Sequence, residues 1–169
     1  LAVDRTLDSA LQRGGSLDFD GGPGSDTLAG PATDSQWAVT GSNAGTLNQH
    51  LTFRGVETLL GAPANQDTFT VDEGGVFDGV VVGGDGGFDT LAVRGVEGGS
   101  YTPGRVFGDG IVLSGESRIQ FTGLEPVIID GGTVSGSQAG LDTGNLAASF
   151  TFTTPSGADV LTIDSPAPG

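Results

Sequence analysis

The stretch Gly22-Pro23-Gly24-Ser25-Asp26-Thr27-Leu28 returns as Asp85-Gly86-Gly87-Phe88-Asp89-Thr90-Leu91. A second phrase, Phe53-Arg54-Gly55-Val56-Glu57, returns as Phe121-Thr122-Gly123-Leu124-Glu125, with Arg94-Gly95-Val96-Glu97 as a partial third copy. Weaker echoes of the first phrase are Asn65-Gln66-Asp67-Thr68-Phe69 and Ser156-Gly157-Ala158-Asp159-Val160-Leu161. Asp26 and Asp89 stand 63 positions apart, and Glu57 and Glu125 stand 68 apart. Self-similarity at a long, nearly fixed spacing is the mark of a repeat architecture. The chain therefore reads as two diverged copies of one unit, residues 17–79 and 80–169, behind an N-terminal cap or linker over residues 1–16. The whole is expected to be one continuous structural domain.

Between these phrases the apolar residues recur at period two, as in Leu17/Phe19, Trp37/Val39, Leu51/Phe53, Phe69/Val71, Leu91/Val93, Ile119/Phe121, Phe150/Phe152 and Leu161/Ile163. That spacing puts alternate side chains on one face of a strand. Gly interrupts nearly every window long enough for a helix and supplies the positive φ that sharp corners need. Val3, Leu7 and Leu11 are the exception, four residues apart, and predict a short helix or a cap over one end. The expected fold is all-β: a parallel β-helix or β-solenoid with short strands and Gly-rich corners. An antiparallel β-sandwich is the alternative.

Composition narrows the function. The 169 residues carry 21 acidic side chains against six basic ones, all Arg, for a net charge of −15. Such a chain repels phosphate backbones and anionic lipid surfaces, so no nucleic-acid partner and no membrane insertion are expected. There are 32 Gly and 8 Pro, yet the clusters Val80-Val81-Val82 and Ile128-Ile129 give apolar surface to bury, which argues against disorder. With no Cys and one His, His50, most nucleophile and general-base options are missing, and no catalytic residues are assigned. The chain contains no Met and no signal-like start, and is expected to be a section of a longer protein.

Acidic residues beside Gly-rich corners are candidate ligands for a hard cation, because carboxylates and free carbonyls supply the oxygens that Ca²⁺ takes. The candidates are Asp18, Asp20, Asp26, Asp85 and Asp89, with Asp78 nearby. The competing reading, in which Asp bonds the backbone at turns, is the stronger one. Glu57, Glu97 and Glu125 each follow a Gly-aliphatic pair, and Glu57 with Glu125 would suit a glycosidase pair only if they faced one another. A recurrent corner acid that bonds N–H groups or an Arg is the stronger expectation here too. Trp37 and Tyr101 are read as core residues ahead of sugar-stacking ones.

Gly21-Gly22-Pro23-Gly24-Ser25-Asp26-Thr27-Leu28-Ala29 resembles the Ca²⁺-binding nonapeptide G-G-x-G-x-D-x-U-x of RTX (haemolysin-type) proteins. The longer phrases resemble repeats of giant secreted bacterial surface proteins of the filamentous-haemagglutinin or adhesin type. The resemblance implies an extracellular or cell-surface location, a β-helical shaft and an adhesive or structural role. Neighbouring modules of the same parent, copies of itself, surface glycans or host ligands are the implied partners. True nonapeptides come in tandem, and here they are isolated, so calcium is a secondary expectation. A calcium-dependent folding module and a polysaccharide-acting β-helix enzyme are the alternative functions.

Overall fold

The computed structural model describes residues 1–96, 98–130, 141–142 and 149–152. The all-β expectation holds: apart from one helix, the described elements are short strands in two mixed sheets, called I and II here. The helix α1 (Arg5–Gln12) comes first. Asp4 starts it by accepting the N–H groups of Thr6 and Leu7, each at 2.9 Å. Such a cap contributes on the order of 1 kcal/mol. Val3 and Leu11 are buried and Leu7 is packed against the core, as their spacing predicts.

The chain then passes between the sheets. β1 (Leu17–Asp20) lies in sheet I and β2 (Thr27–Ala29) in sheet II. β3 (Gln36–Gly41), β4 (Ala44–Leu47) and β5 (Leu51–Arg54) form an antiparallel meander in sheet I. β6 (Thr58–Leu60) returns to sheet II, β7 (Thr68–Val71) to sheet I, β8 (Asp78–Val82) to sheet II and β9 (Thr90–Arg94) to sheet I. A second meander, β10 (Gly98–Pro103), β11 (Gly110–Ser114) and β12 (Ser117–Thr122), lies in sheet II. β13 (Val127–Asp130) and β14 (Leu141–Asp142) belong to sheet I, and β15 (Ser149–Phe152) to sheet II.

Strands from successive passes pair in parallel: β2 with β6, β6 with β8 and β8 with β12 in sheet II, and β3 with β7, β7 with β9 and β9 with β13 in sheet I. Parallel strands share one direction, so all leave sheet I at one end and re-enter it at the other. These crossings form two seams. Seam one carries the chain from sheet I to sheet II, and seam two carries it back.

The core lies between the sheets. Trp37, Leu51, Phe53, Phe69, Leu91 and Ile129 of sheet I are buried, as are Leu28, Leu59, Val81, Val112, Ile119 and Phe121 of sheet II. Trp37 stacks on Phe69 at 5.3 Å between ring centroids and meets Phe53 edge-on at 6.5 Å. Each such burial contributes about 1.5–3 kcal/mol. Trp37 is therefore a core residue, and Tyr101 stacks on Phe121 at 6.1 Å.

Four of the strands the periodicity missed have two local causes. β4 (AGTL) and β10 (GGSYTP) are too rich in Gly and small residues to show alternation, and β2 and β6 span three residues each. Leu161/Ile163 and the echo at Asp159 lie outside the described residues.

Candidate functional site

The chemistry-bearing side chains gather at the seams. At seam one, Gly55 takes φ 59°, a left-handed conformation that turns the chain out of β5. Val56 then enters the core fully buried, and Glu57 closes the corner. Its Oε2 accepts the Asp26 N–H at 2.9 Å and its Oε1 accepts Asn43 Nδ2 at 3.2 Å. Its own N–H donates to the Asp26 carbonyl at 3.1 Å. Asn43, at φ 44° in the β3–β4 turn, also accepts the Asp78 N–H at 2.9 Å.

At seam two the same phrase recurs. Gly123 has φ 66°, Leu124 is buried, and the Glu125 N–H donates to the Asp89 carbonyl at 2.6 Å. Asp67 and Asp89 are both buried here, on adjacent passes. Asp89 Oδ1 accepts the Asp67 N–H at 2.8 Å, while Asp67 accepts the Ala62 N–H at 3.1 Å and Asn65 Nδ2 at 2.8 Å. Gly83 is required opposite Asp89, since a Cβ there would stand 2.8 Å from Asp89 Oδ2 and collide with the Gly123 carbonyl.

Burial pushes the Asp67 carboxyl up to about 6, with the Asp89 charge adding to the rise and the Ala62 and Asn65 hydrogen bonds opposing it. Asp89 is also raised, by burial first and by the Asp34 charge, against the hydrogen bond from Asp67.

The five residues expected to hold calcium fall in two places. Asp18 is exposed on β1 and lines a shallow groove of about 320 Å³ with Thr40, Thr46, Thr52 and Arg54. Asp20 pairs with Arg54 at 2.8 Å and accepts the Gly22 N–H at 3.1 Å. Asp26 belongs to the Glu57 network at seam one. Asp85, exposed, and Asp89, buried, belong to seam two. Among the described residues, no three acidic or His side chains group in a way that could hold a metal ion. Of the five, Asp20 and Asp89 use side-chain oxygens on backbone N–H groups: Asp20 on Gly22 two residues on, the turn bond that Asp favours, and Asp89 on Asp67 of the neighbouring pass.

Glu57 and Glu125 sit at opposite ends of the strands. Glu57 follows sheet I and Glu125 follows sheet II, so a strand of four residues, about 13 Å, lies between their seams. They do not face one another. Glu97 lies outside the described residues. Sequence reasoning missed Asn43 and Asn65 as seam residues. The Ser42-Asn43 pair between two alternating runs was the available signal for the first, as a two-residue hairpin turn.

No described helix is long and apolar enough to cross a membrane. No family model, no curated protein and no solved structure matches this chain.

Proposed function

We propose that this chain is a structural module, two turns-and-meander units of a two-sheet β-solenoid, serving as part of the shaft or contact surface of an extracellular protein. One observation carries the reading: the pairing pattern of β1 to β6 recurs in β8 to β13 with the two sheets exchanged. In the first unit β1 pairs in parallel with β5, β5 with β4 and β4 with β3 antiparallel, and β2 with β6 in parallel. In the second, β8 pairs with β12, β12 with β11, β11 with β10, and β9 with β13, in the same senses.

Three backbone bonds at the seams have counterparts in both copies. Gly21 N–H donates to the Arg54 carbonyl and Gly83 N–H to the Thr122 carbonyl, both at 2.9 Å. Val56 N–H donates to the Asn43 carbonyl as Leu124 N–H does to Gly108. Glu57 N–H donates to Asp26 as Glu125 N–H does to Asp89. The two copies are thus related by a half-turn about the stacking axis. A coil that advances by half-turns is a solenoid, and its parallel registers favour it over an antiparallel sandwich.

The corner acids support the structural role, since Glu57, Asp67 and Asp89 hold backbone N–H groups. The separation of Glu57 from Glu125 counts against the polysaccharide-acting alternative, which needs converging carboxylates. High negative charge suits solubility outside the cell.

The test exchanges Phe53–Glu57 with Phe121–Glu125 in the full chain. The exchange is expected to move Tm by only a few degrees. Replacing Phe53–Glu57 with the non-equivalent corner 71–75 is expected to unfold the protein. Equal damage from both replacements overturns the reading.

A further inference from the structure

We propose that the outer face of sheet I carries a saccharide-binding cup, built by β1, β3, β4 and β5, that takes one or two neutral sugar rings. The cup gives the proposed contact surface a ligand class, and it rests on that reading for its control, the half-turn repeat. It is the groove of about 320 Å³ that Asp18, Thr40, Thr46, Thr52 and Arg54 line. That volume stands at the small end of ligand sites, which run from roughly 300 to 1,000 Å³.

Strand pairing fixes where these side chains stand. Asp18, Thr52 and Thr46 are register partners across β1, β5 and β4, and form one row on the outer face. Asp20, Arg54 and Ala44 form a second row two residues along. Phe19, Phe53 and Gly45 make the row between and face the core, as alternation requires. The two outer rows span two strand spacings by one two-residue step, roughly 10 Å by 7 Å. A sugar ring with its hydroxyls covers a footprint of that size.

Thr40 reaches the cup by another route. β3 shifts register against β4 between Val39 and Gly41, which makes Thr40 the extra residue of a bulge. A bulge re-aims a side chain, and Thr40 stands exposed beside Gly41 and Ala44. Gly41, Ala44 and Gly45 bring no more than a methyl group to the floor, so the C–H face of a ring can lie close to the backbone.

The polar groups suit a neutral polyol. A Thr hydroxyl donates and accepts, the Asp18 carboxylate accepts, and the Arg54 guanidinium donates. Arg54 commits Nη2 to Asp20 at 2.8 Å and stays 66% exposed, with further N–H groups to offer. Among the described residues, no hydrogen bond engages the three hydroxyls or the Asp18 carboxylate. An anion would meet Asp18, Asp20 and the net charge of −15, and a cation would meet Arg54. A ring of C–H and O–H groups meets neither opposition.

The repeat supplies the control. Phe53 pairs in β5 as Phe121 pairs in β12, which sets Gly45 against Gly110, Thr46 against Ile111 and Asp18 against Val80. Both glycines are required by the fold. A Cβ on Gly45 would collide with the Ala38 carbonyl, and one on Gly110 would stand 2.8 Å from the carbonyl of Thr102, the counterpart of Ala38. Asp18 and Thr46 are not required, because Val80 and Ile111 hold the same places in the second copy. The polar set belongs to the first copy and answers no demand of the fold.

The experiment is a backbone-amide NMR titration of the full chain with glucose, galactose, mannose, their disaccharides and the corresponding uronates. Binding in the millimolar range is expected for at least one neutral sugar, a strength that repeated copies turn into adhesion. Its shifts are expected to cluster at Asp18, Thr40, Thr46, Thr52 and Arg54, with the matching uronate bound more weakly. Asp18→Asn and Thr46→Val are each expected to weaken binding about tenfold without changing the rest of the spectrum. Asp18→Val/Thr46→Ile, which copies the second unit, is expected to fold and to lose binding. No shift with any sugar, shifts that cluster elsewhere, a preferred uronate, or single variants that bind like the unaltered chain overturns the cup. Unfolding of the double variant counts against the half-turn repeat alone, and the single variants then decide the cup.

Discussion

Glu57 and Asp26 grip each other twice, the Glu57 carboxylate accepting the Asp26 N–H at 2.9 Å and the Asp26 carbonyl accepting the Glu57 N–H at 3.1 Å. The pair ties two passes of the chain together at seam one, where backbone groups leaving the sheets need partners. Glu57→Ala removes the carboxylate from both the Asp26 N–H and Asn43 Nδ2. A loss of about 1–3 kcal/mol is expected in urea unfolding. Glu57→Gln keeps one acceptor oxygen and is expected to lose less. Equal stability of Glu57→Ala and the unaltered chain would contradict this role.

Gly55 and Gly123 occupy the same slot at opposite seams, with φ of 59° and 66°. An added Cβ would stand 3.3 Å from Gly22 N and 3.2 Å from the Gly84 carbonyl, respectively. Left-handed backbone costs a non-glycine residue roughly 1–2 kcal/mol. Gly55→Ala and Gly123→Ala are therefore expected to destabilise by similar amounts, at least that large, in thermal unfolding. Effects that differ several-fold would break the equivalence of the two seams.

Leu124 and Val56 are the apolar plugs that follow those glycines, 1% and 0% exposed. Leu124→Ala opens a cavity with no room to collapse between two sheets, and about 2–5 kcal/mol is expected. Val56→Ala removes fewer methylene groups and is expected to cost less. Denaturant midpoints at unchanged m-value check both, and near-neutral outcomes would mean the seams are not packed as described.

Much of this was legible from spacing alone. Trp37/Val39, Phe69/Val71 and Leu91/Val93 alternate because one face of each strand is buried, and the Gly-aliphatic-Glu phrase marks a corner because each of its residues has a separate physical task there. The exchange of sheets was not legible. Asp26 precedes a sheet II strand and Asp89 precedes a sheet I strand, yet both face the same local demand, a corner that needs an acceptor. Local sequence records the corner and not the sheet it leads to. At the nonapeptide match, Gly21 to Ala29, the backbone N–H of Gly22 donates to Asp20 and that of Asp26 to Glu57.

Asp67 gives the chain a pH dependence whose sign follows from its surroundings. Its carboxyl is raised from 3.8 to about 6 in the folded protein, by burial foremost and by Asp89. The folded state therefore holds its proton more tightly than the unfolded chain does. A raised carboxyl penalises folding above its folded-state value, and the penalty fades as pH falls from about 6 towards the ordinary carboxylate range. The span corresponds to on the order of 2–3 kcal/mol. Asp67→Asn cannot ionise, although it loses one of the two hydrogen bonds the carboxylate accepts from Ala62 and Asn65. Calorimetry at pH 4.5 and pH 8 is expected to find Asp67→Asn the less stable protein in acid, with the gap narrowing or reversing at alkaline pH. A gap that stays constant, or widens with rising pH, would mean that Asp67 does not titrate in this way.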